Sequence, residues 1–504
     1  MKRLLFALSC TFLFAFSTRA QQVTYSDYER QDGRDMNFEV IGKMNGNFLV
    51  YKNMSWRHKI SVFDGDMKTK EIIDLDFVPD KTFNIDFITY PDFFYMIYQY
   101  QKRSIVYCMG VKMGADGKKL SEPVQLDTTQ IALMADNKIY STISSEDKQK
   151  IMVFKVHKKS DRYNVVTILL DKQLQLIRKS REVVPFNERR DNFGDFLLDN
   201  DGHLVFSIST QASGVRDNAN VLNLVTKSPL QDTFSWHKVD LQEKYIDEVK
   251  LKVDNLNRQY LVNSFYYKKN RGSIEGLFTL SWDKDKAQPT KSNLTPLYDS
   301  LRDLAKKEGS LKFAFDDFFI RNIIVKKDGG FVLAAEDFSS QNRGFNNSWN
   351  RWDYLNNPYF YNSNYYYYNP YGGFYRPMSR FNNNQSTRYY YANVVILSFD
   401  KTGRLQWSNL IQKDQFDDDD DNFMSYSIMN SGGELHFIYN GDSKYQVIAD
   451  HSISPDGTLK RNPTLKSREK GYQFMPRLAK QVGARQLIVP CSYRGFICFA
   501  KVDF

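Results

Sequence analysis

Histidine is scarce in this 504-residue chain, and the six residues, His58, His157, His203, His237, His436 and His451, are scattered. None shows the His-Glu-x-x-His spacing that places two imidazoles side by side on a helix, so that zinc-hydrolase pattern is excluded. No Gly-x-Ser-x-Gly elbow, Walker phosphate loop or dinucleotide fingerprint occurs, which removes the α/β hydrolases, P-loop enzymes and Rossmann oxidoreductases. Helical periodicity is nearly absent. The one clear candidate is 296–309, where Leu297, Leu301, Leu304 and Ala305 recur at helical spacing before Gly309. Long apolar runs are missing beyond the first twenty residues, so no segment of the mature chain reaches membrane-spanning length.

Cysteine is also sparse: Cys10, Cys108, Cys491 and Cys498. A two-residue turn at Arg494-Gly495 would set Cys491 opposite Cys498. Counting back from the Tyr493–Phe496 pair makes theirs a hydrogen-bonded pair, which holds side chains apart and would strain a disulfide. Small buried hydrophobes are the favoured reading.

Lys2 and Arg3, the apolar run from Leu4 to Phe16, and Ser17, Thr18 and Ala20 form an export signal over residues 1–20. Its loss takes three positive charges, lowering the formal charge from +10 to +7. That mild excess suits anionic surfaces or glycans and does not call for nucleic acid. The expected product is a monomer, periplasmic or at the cell surface.

What the sequence does have is repetition. "FEVIGKMNGNFLVY", "FLLDNDGHLVFSI", "NIIVKKDGGFVLAA" and "SIMNSGGELHFIY" each read as two strands around a tight turn. Each is followed by a third strand, a turn and a more polar fourth strand, as in "VVILSFDKTGRLQWSNLI". The unit returns about every 45–55 residues. Units fall at about 37–77, 84–128, 131–186, 192–242, 246–297, 314–415 and 423–465. The final segment, 474–504, is one strand short, and "QQVTYSDYER" supplies it. The expected fold is all-β: a single β-propeller of about eight four-stranded blades over 21–504, closed by pairing the N- and C-terminal strands. Seven blades result if two weaker units merge, and a pair of β-sandwiches is the rival.

"SPDGTL" at Ser454 to Leu459 is similar to the turn of TolB-like propellers, and the chain resembles the uncharacterised secreted β-propeller proteins of bacteria in architecture. Trp-Asp dipeptides are absent at the blade ends and the sialidase Asp-box does not appear, so the resemblance implies a scaffold and brings no catalytic residue with it.

In such a ring, the loops joining strands two to three and blade to blade share one face, and the short hairpin turns share the other. The long loops carry aromatic and basic residues: Trp56, Arg57 and His58; Tyr98 and Tyr100; Tyr266 and Tyr267. A Tyr/Asn-rich insertion at 339–388 adds Tyr365, Tyr366, Tyr367, Tyr368, Tyr371, Tyr375, Arg376 and Arg380. Tyrosine offers wide contact area with few rotors, so this face is expected to bind a glycan, a peptide or an envelope protein. The competing reading of the insertion is low-complexity sequence with no dedicated ligand. The run Asp417 to Asp421 lies on the same face. Asp417, Asp419 and Asp421 are the candidate calcium ligands, but consecutive acids on an extended chain point opposite ways, so a solvated acidic loop without cofactor is favoured. A binding role is expected over an enzymatic one. The alternative is a glycan hydrolase whose carboxylates assemble from separate blades.

Overall fold

The computed structural model describes residues 22–28, 36–54, 56–80, 82–131, 138–159, 162–214, 217–298, 301, 303, 316–342, 351, 387–418, 421–467 and 471–504. The expected export signal over 1–20 lies outside them, as do most of the expected helix over 296–309 and most of the Tyr-rich insertion. Eight four-stranded antiparallel units follow one another at 36–74, 82–130, 141–184, 191–239, 245–296, 318–418, 426–466 and 472–503. The chain is a β-propeller, and these are blades 1 to 8. Blades 4 and 5 are joined into one sheet by a single bridge, Ala219 to Ile246.

The ring is closed by its two ends. Gln22–Tyr25 is the fourth strand of blade 8 and runs antiparallel to the C-terminal strand, with Gln22 opposite Asp503 and Tyr25 opposite Ala500. The pairing continues through Ser26, whose amide donates to the Phe499 carbonyl and whose hydroxyl accepts from the Phe499 amide. This pairing covers the outer edge of the C-terminal strand, which would otherwise lie open.

The central strands are buried at nearly every position, as in Gln259–Tyr267 and Gly276–Asp283, and successive side chains point to opposite faces, so each blade has two apolar faces and each packs on a neighbour. Every interface between consecutive blades holds its own buried cluster. Tyr51, Phe94 and Tyr98 join blades 1 and 2, for example, and Phe265, Phe318, Phe331 and Phe399 join blades 5 and 6. The eighth interface, between blades 8 and 1, packs Met36 and Phe38 on Ile488 and Phe499. First strands of neighbouring blades also touch one another, as expected where they surround a common axis.

Several of the turns joining third to fourth strands share one construction. In blades 1, 3 and 6 the first residue is Asp64, Asp171 or Asp400, and its Oδ1 accepts the amides two and four residues on, at 2.7–3.0 Å. The fourth residue takes positive φ. It is Gly403 in blade 6 and Gly457 in the SPDG turn of blade 7, but Met67 in blade 1 and Leu174 in blade 3. Asp and Gly therefore recur here for the backbone's sake.

Candidate functional site

On the opposite face, the first strands carry β-bulges. The register slips between Ile246 and Val249 in blade 5 and between Ile320 and Asn322 in blade 6. A bulge re-aims side chains out of the ladder. Here the residues set free are Asp247, Glu248 and Arg321.

These residues belong to an arc of buried charge over blades 4 to 8. Arg351, within the insertion, donates from Nε to Asp247 and from Nη1 to the Phe318 carbonyl, with its guanidinium 4.4 Å from the Phe319 ring centre. The Tyr267 hydroxyl also donates to Asp247. Glu248 accepts the Ile320 amide at 3.0 Å, with Arg351 at 3.6 Å and Lys250 at 3.8 Å. Burial pushes the Glu248 carboxyl up to about 7, against the pull of those two cations. Lys250 also lies 3.9 Å from Asp195 of blade 4. In blade 6, Glu336 is fully buried with Lys413 at 2.7 Å and Arg321 at 3.4 Å, and it accepts the Ser425 hydroxyl of blade 7 at 2.6 Å. Farther round, Asp421 accepts from Arg477 of blade 8 at 2.7 and 3.1 Å and from the Tyr391 hydroxyl at 2.8 Å. Burial works to raise the Asp421 carboxyl, but Arg477 and Tyr391 hold it below its ordinary value. Such pairs add little net stability but are costly to break, because removal of one partner strands the other charge.

Between blades 6 and 7 a cleft of about 880 Å³ opens on this face and runs down the outer wall. Phe416, half exposed, stands on one side with Asp414 and Gln412, and Tyr445, Tyr439 and His451 stand on the other, with Arg461 below. Tyr439 and His451 are stacked at 5.7 Å and hydrogen-bonded at 3.2 Å. The cleft thus offers aromatic faces, one exposed carboxylate and amide and guanidinium donors.

The residues expected on the rim divide into four groups. Trp56 is 52% exposed at positive φ, and Arg57 beside it is exposed. Tyr100 is partly buried, stacked on Tyr107 at 5.2 Å and on Tyr98 at 6.3 Å. His58, Tyr98, Tyr266 and Tyr267 lie inside. The ring of His58 is hydrogen-bonded to the Tyr51 hydroxyl at 2.6 Å, and burial lowers its pKa. Tyr98, Tyr266 and Tyr267 fill interfaces between blades. Their burial gives them a packing role here, because a side chain enclosed by two blades offers no face to a ligand. Tyr365, Tyr366, Tyr367, Tyr368, Tyr371, Tyr375, Arg376 and Arg380 lie outside the described residues.

The base of the insertion is described. Gln341 pairs with Arg388 and Asn342 with Thr387, at the loop-face end of two long strands. Gln415–Asp418 adds to the same hairpin, with Asp417 opposite Tyr389. The insertion and the acidic run therefore spring from one place. The acids take separate partners: Asp417 accepts the Tyr445 hydroxyl at 2.6 Å, Asp418 holds Arg388 through two bonds, and Asp421 holds Arg477. Asp419 is outside the described residues. Elsewhere, Asp199, Asp201 and His203 bring ligand atoms within 4.8 Å of one another, and Lys284 Nζ sits there at 2.8 Å from Asp199 and 2.5 Å from Asp201, filling the place of a cation.

Loop composition does not mark Arg321, Glu336, Lys413 or Arg477 as site residues. The available signal was an ionisable residue inside an apolar strand, as in "FFIRNIIV" and "FVLAAEDF". A charge retained in such a run needs a buried partner.

No family model and no curated protein matches the sequence. Several solved structures are distantly similar to this chain. Prolyl oligopeptidase B from Galerina marginata is 10% identical, with a TM-score of 0.42 over 92% of this chain and 56% of that one. The WD40 domain of SCAP from fission yeast is 8% identical, with a TM-score of 0.40 over 96% and 98%. Sqt1 of Saccharomyces cerevisiae is 10% identical, with a TM-score of 0.42 over 95% and 98%. This chain spans about half the length of the oligopeptidase, and likeness at this level carries no function across.

Proposed function

We propose that this protein is an exported binding or scaffolding propeller of the cell envelope, which contacts its partner through the loop face. The carrying observation is the cleft of about 880 Å³ between blades 6 and 7, with Phe416, Tyr445 and His451 beside Asp414, Gln412 and Arg461. Aromatic faces suit the apolar side of a sugar ring, and the flanking carboxylate, amide and guanidinium suit its hydroxyls, so a glycan fits this chemistry best. A peptide or an envelope protein is the second reading, supported by the exposed Trp56 and Arg57 on the same face. Residues 1–20 support export.

A glycan hydrolase needs two accessible carboxylates. Asp247, Glu248, Glu336 and Asp421 have little or no exposed side chain and are committed to cations. In the cleft Asp414 is exposed, while Asp442 is half-buried and accepts the Gln446 and Val447 amides of its own turn. Binding is therefore the reading adopted. Its test is an oligosaccharide array probed with the protein, with Phe416→Ala and with a deletion of 352–386 that keeps Arg351. The reading expects glycan binding that Phe416→Ala weakens at least about tenfold, equivalent to about 1.4 kcal/mol. Equal binding by wild type and Phe416→Ala would remove the cleft from the site.

A further inference from the structure

Cys491 and Cys498 occupy the second and third strands of blade 8, directly opposite one another across the hairpin. The turn between them, Arg494 at φ 50° and Gly495 at φ 86°, is the tight two-residue type that fixes register. Both side chains are fully buried, packed with Met429, Phe474, Leu487 and Val502. Their sulfurs are 2.8 Å apart. Two sulfurs at that distance are already in contact, and a bond of about 2.05 Å needs less than an ångström of further approach. The register expected from the sequence is the register found. It argued for separated side chains, and the fold brings them together.

We propose that Cys491 and Cys498 are a disulfide-forming pair, oxidised by a thiol–disulfide oxidant while the chain folds, and that their bond staples the hairpin on which the ring closes. The second strand of that hairpin, Phe496–Asp503, is the one that receives Gln22–Tyr25. In the exchange, one cysteine thiolate attacks a sulfur of the oxidant's disulfide, giving a mixed disulfide and releasing one oxidant thiolate. The second cysteine thiolate attacks the protein sulfur of that mixed bond, forms the Cys491–Cys498 bond and releases the other oxidant thiolate. The two protons given up by the cysteines end on the two oxidant sulfurs. In the closed ring neither sulfur is reachable, and burial raises the Cys491 thiol well above its ordinary value. The reaction therefore belongs to the stage before blade 8 seats on blade 7. Only six residues separate the two cysteines, so the hairpin can form and oxidise locally.

Cys108, buried in blade 2, is the internal control, with no cysteine partner among the described residues. The full chain is refolded from guanidinium with or without oxidised glutathione, then denatured and blocked with N-ethylmaleimide. Trypsin cuts after Arg494, so the two cysteines leave on separate peptides unless the bond holds them. With oxidised glutathione, the linked peptide pair is expected, two hydrogens lighter than the sum of the free peptides, while Cys108 is labelled. Cys491→Ser should leave Cys498 labelled or capped by glutathione. Labelling or glutathione capping of both cysteines in the wild-type arm would overturn the bond. A linked chain that melts at the same temperature as the unlinked one would overturn the staple. The refolding arms do not depend on export, so this inference and the localisation can fail separately.

Discussion

The two faces of the ring use the same residue for opposite ends. On the turn face, Asp64, Asp171 and Asp400 spend their oxygens on amides of their own turns, two and four residues away. On the loop face, Asp247, Glu336 and Asp421 are buried, and each binds residues from another blade or from the insertion: Arg351, Ser425 and Arg477. The first kind of acid shapes a local hairpin and can be lost blade by blade. The second ties blades together, so its loss is felt across an interface. In these six acids the exposed turn carboxylate sets local geometry and the loop-face carboxylate joins elements, whereas Asp199 sits on a turn and still reaches Tyr260 and Lys284 of blade 5.

The contrast is broken most directly at Arg351. Arg351→Ala leaves Asp247 buried without its guanidinium, and we expect a loss of roughly 3–5 kcal/mol in urea titration. A loss near 1 kcal/mol would put this acid in the same class as the turn acids. Deleting the whole of 339–388 removes Arg351 and part of the blade 6 hairpin, so it should lower the melting temperature, whereas deleting 352–386 should lower it far less.

Next in size is a pH effect at Glu248. Its folded-state value of about 7 stands above the ordinary 4.5, so the folded protein holds this proton more tightly than the unfolded chain. The contribution is full below the unfolded value and is lost as pH rises through the folded one. Relative to Glu248→Gln, the wild type should lose on the order of 2 kcal/mol between about pH 5 and about pH 8. Parallel pH profiles for the two proteins would show that the carboxyl is not raised. Asp421 has the opposite sign: its folded value is depressed, so its contribution is present at neutral pH and fades in acid as pH falls through that value.

Smaller still is the turn face. Asp400→Ala frees two amides that water can reach, and we expect about 1 kcal/mol. Phe416→Ala, at an exposed side chain, should stay within about 0.5 kcal/mol of wild type in stability while binding falls.

Much of the scaffold was legible in the sequence. Strand pairs with Asp, Asn and Gly between them repeat in phase, and the C-terminal unit lacks the strand that Gln22–Tyr25 provides. Unit boundaries read from pattern fall within a few residues of the blades, apart from blade 3, whose described first strand begins at Ser141. Turn chemistry was legible only where Gly marked it: Met67 and Leu174 hold the same left-handed position with no local sign. The site was less legible. Tyr266 and Tyr267 end their strand and Tyr98 lies mid-strand, and sequence alone does not separate a rim residue from one packed between blades. The arc was hidden for a different reason. Asp421 and Arg477 are 56 residues apart and meet only because blades 7 and 8 are neighbours.

The central claim is that the loop face works and the turn face builds. It is tested most directly by titrating one array-selected oligosaccharide against wild type, Phe416→Ala and Asp171→Ala by calorimetry. The account predicts equal affinity for wild type and Asp171→Ala, and at least about tenfold weaker binding for Phe416→Ala. Binding that survives Phe416→Ala and is lost in a folded Asp171→Ala would place the working surface on the other side of the ring.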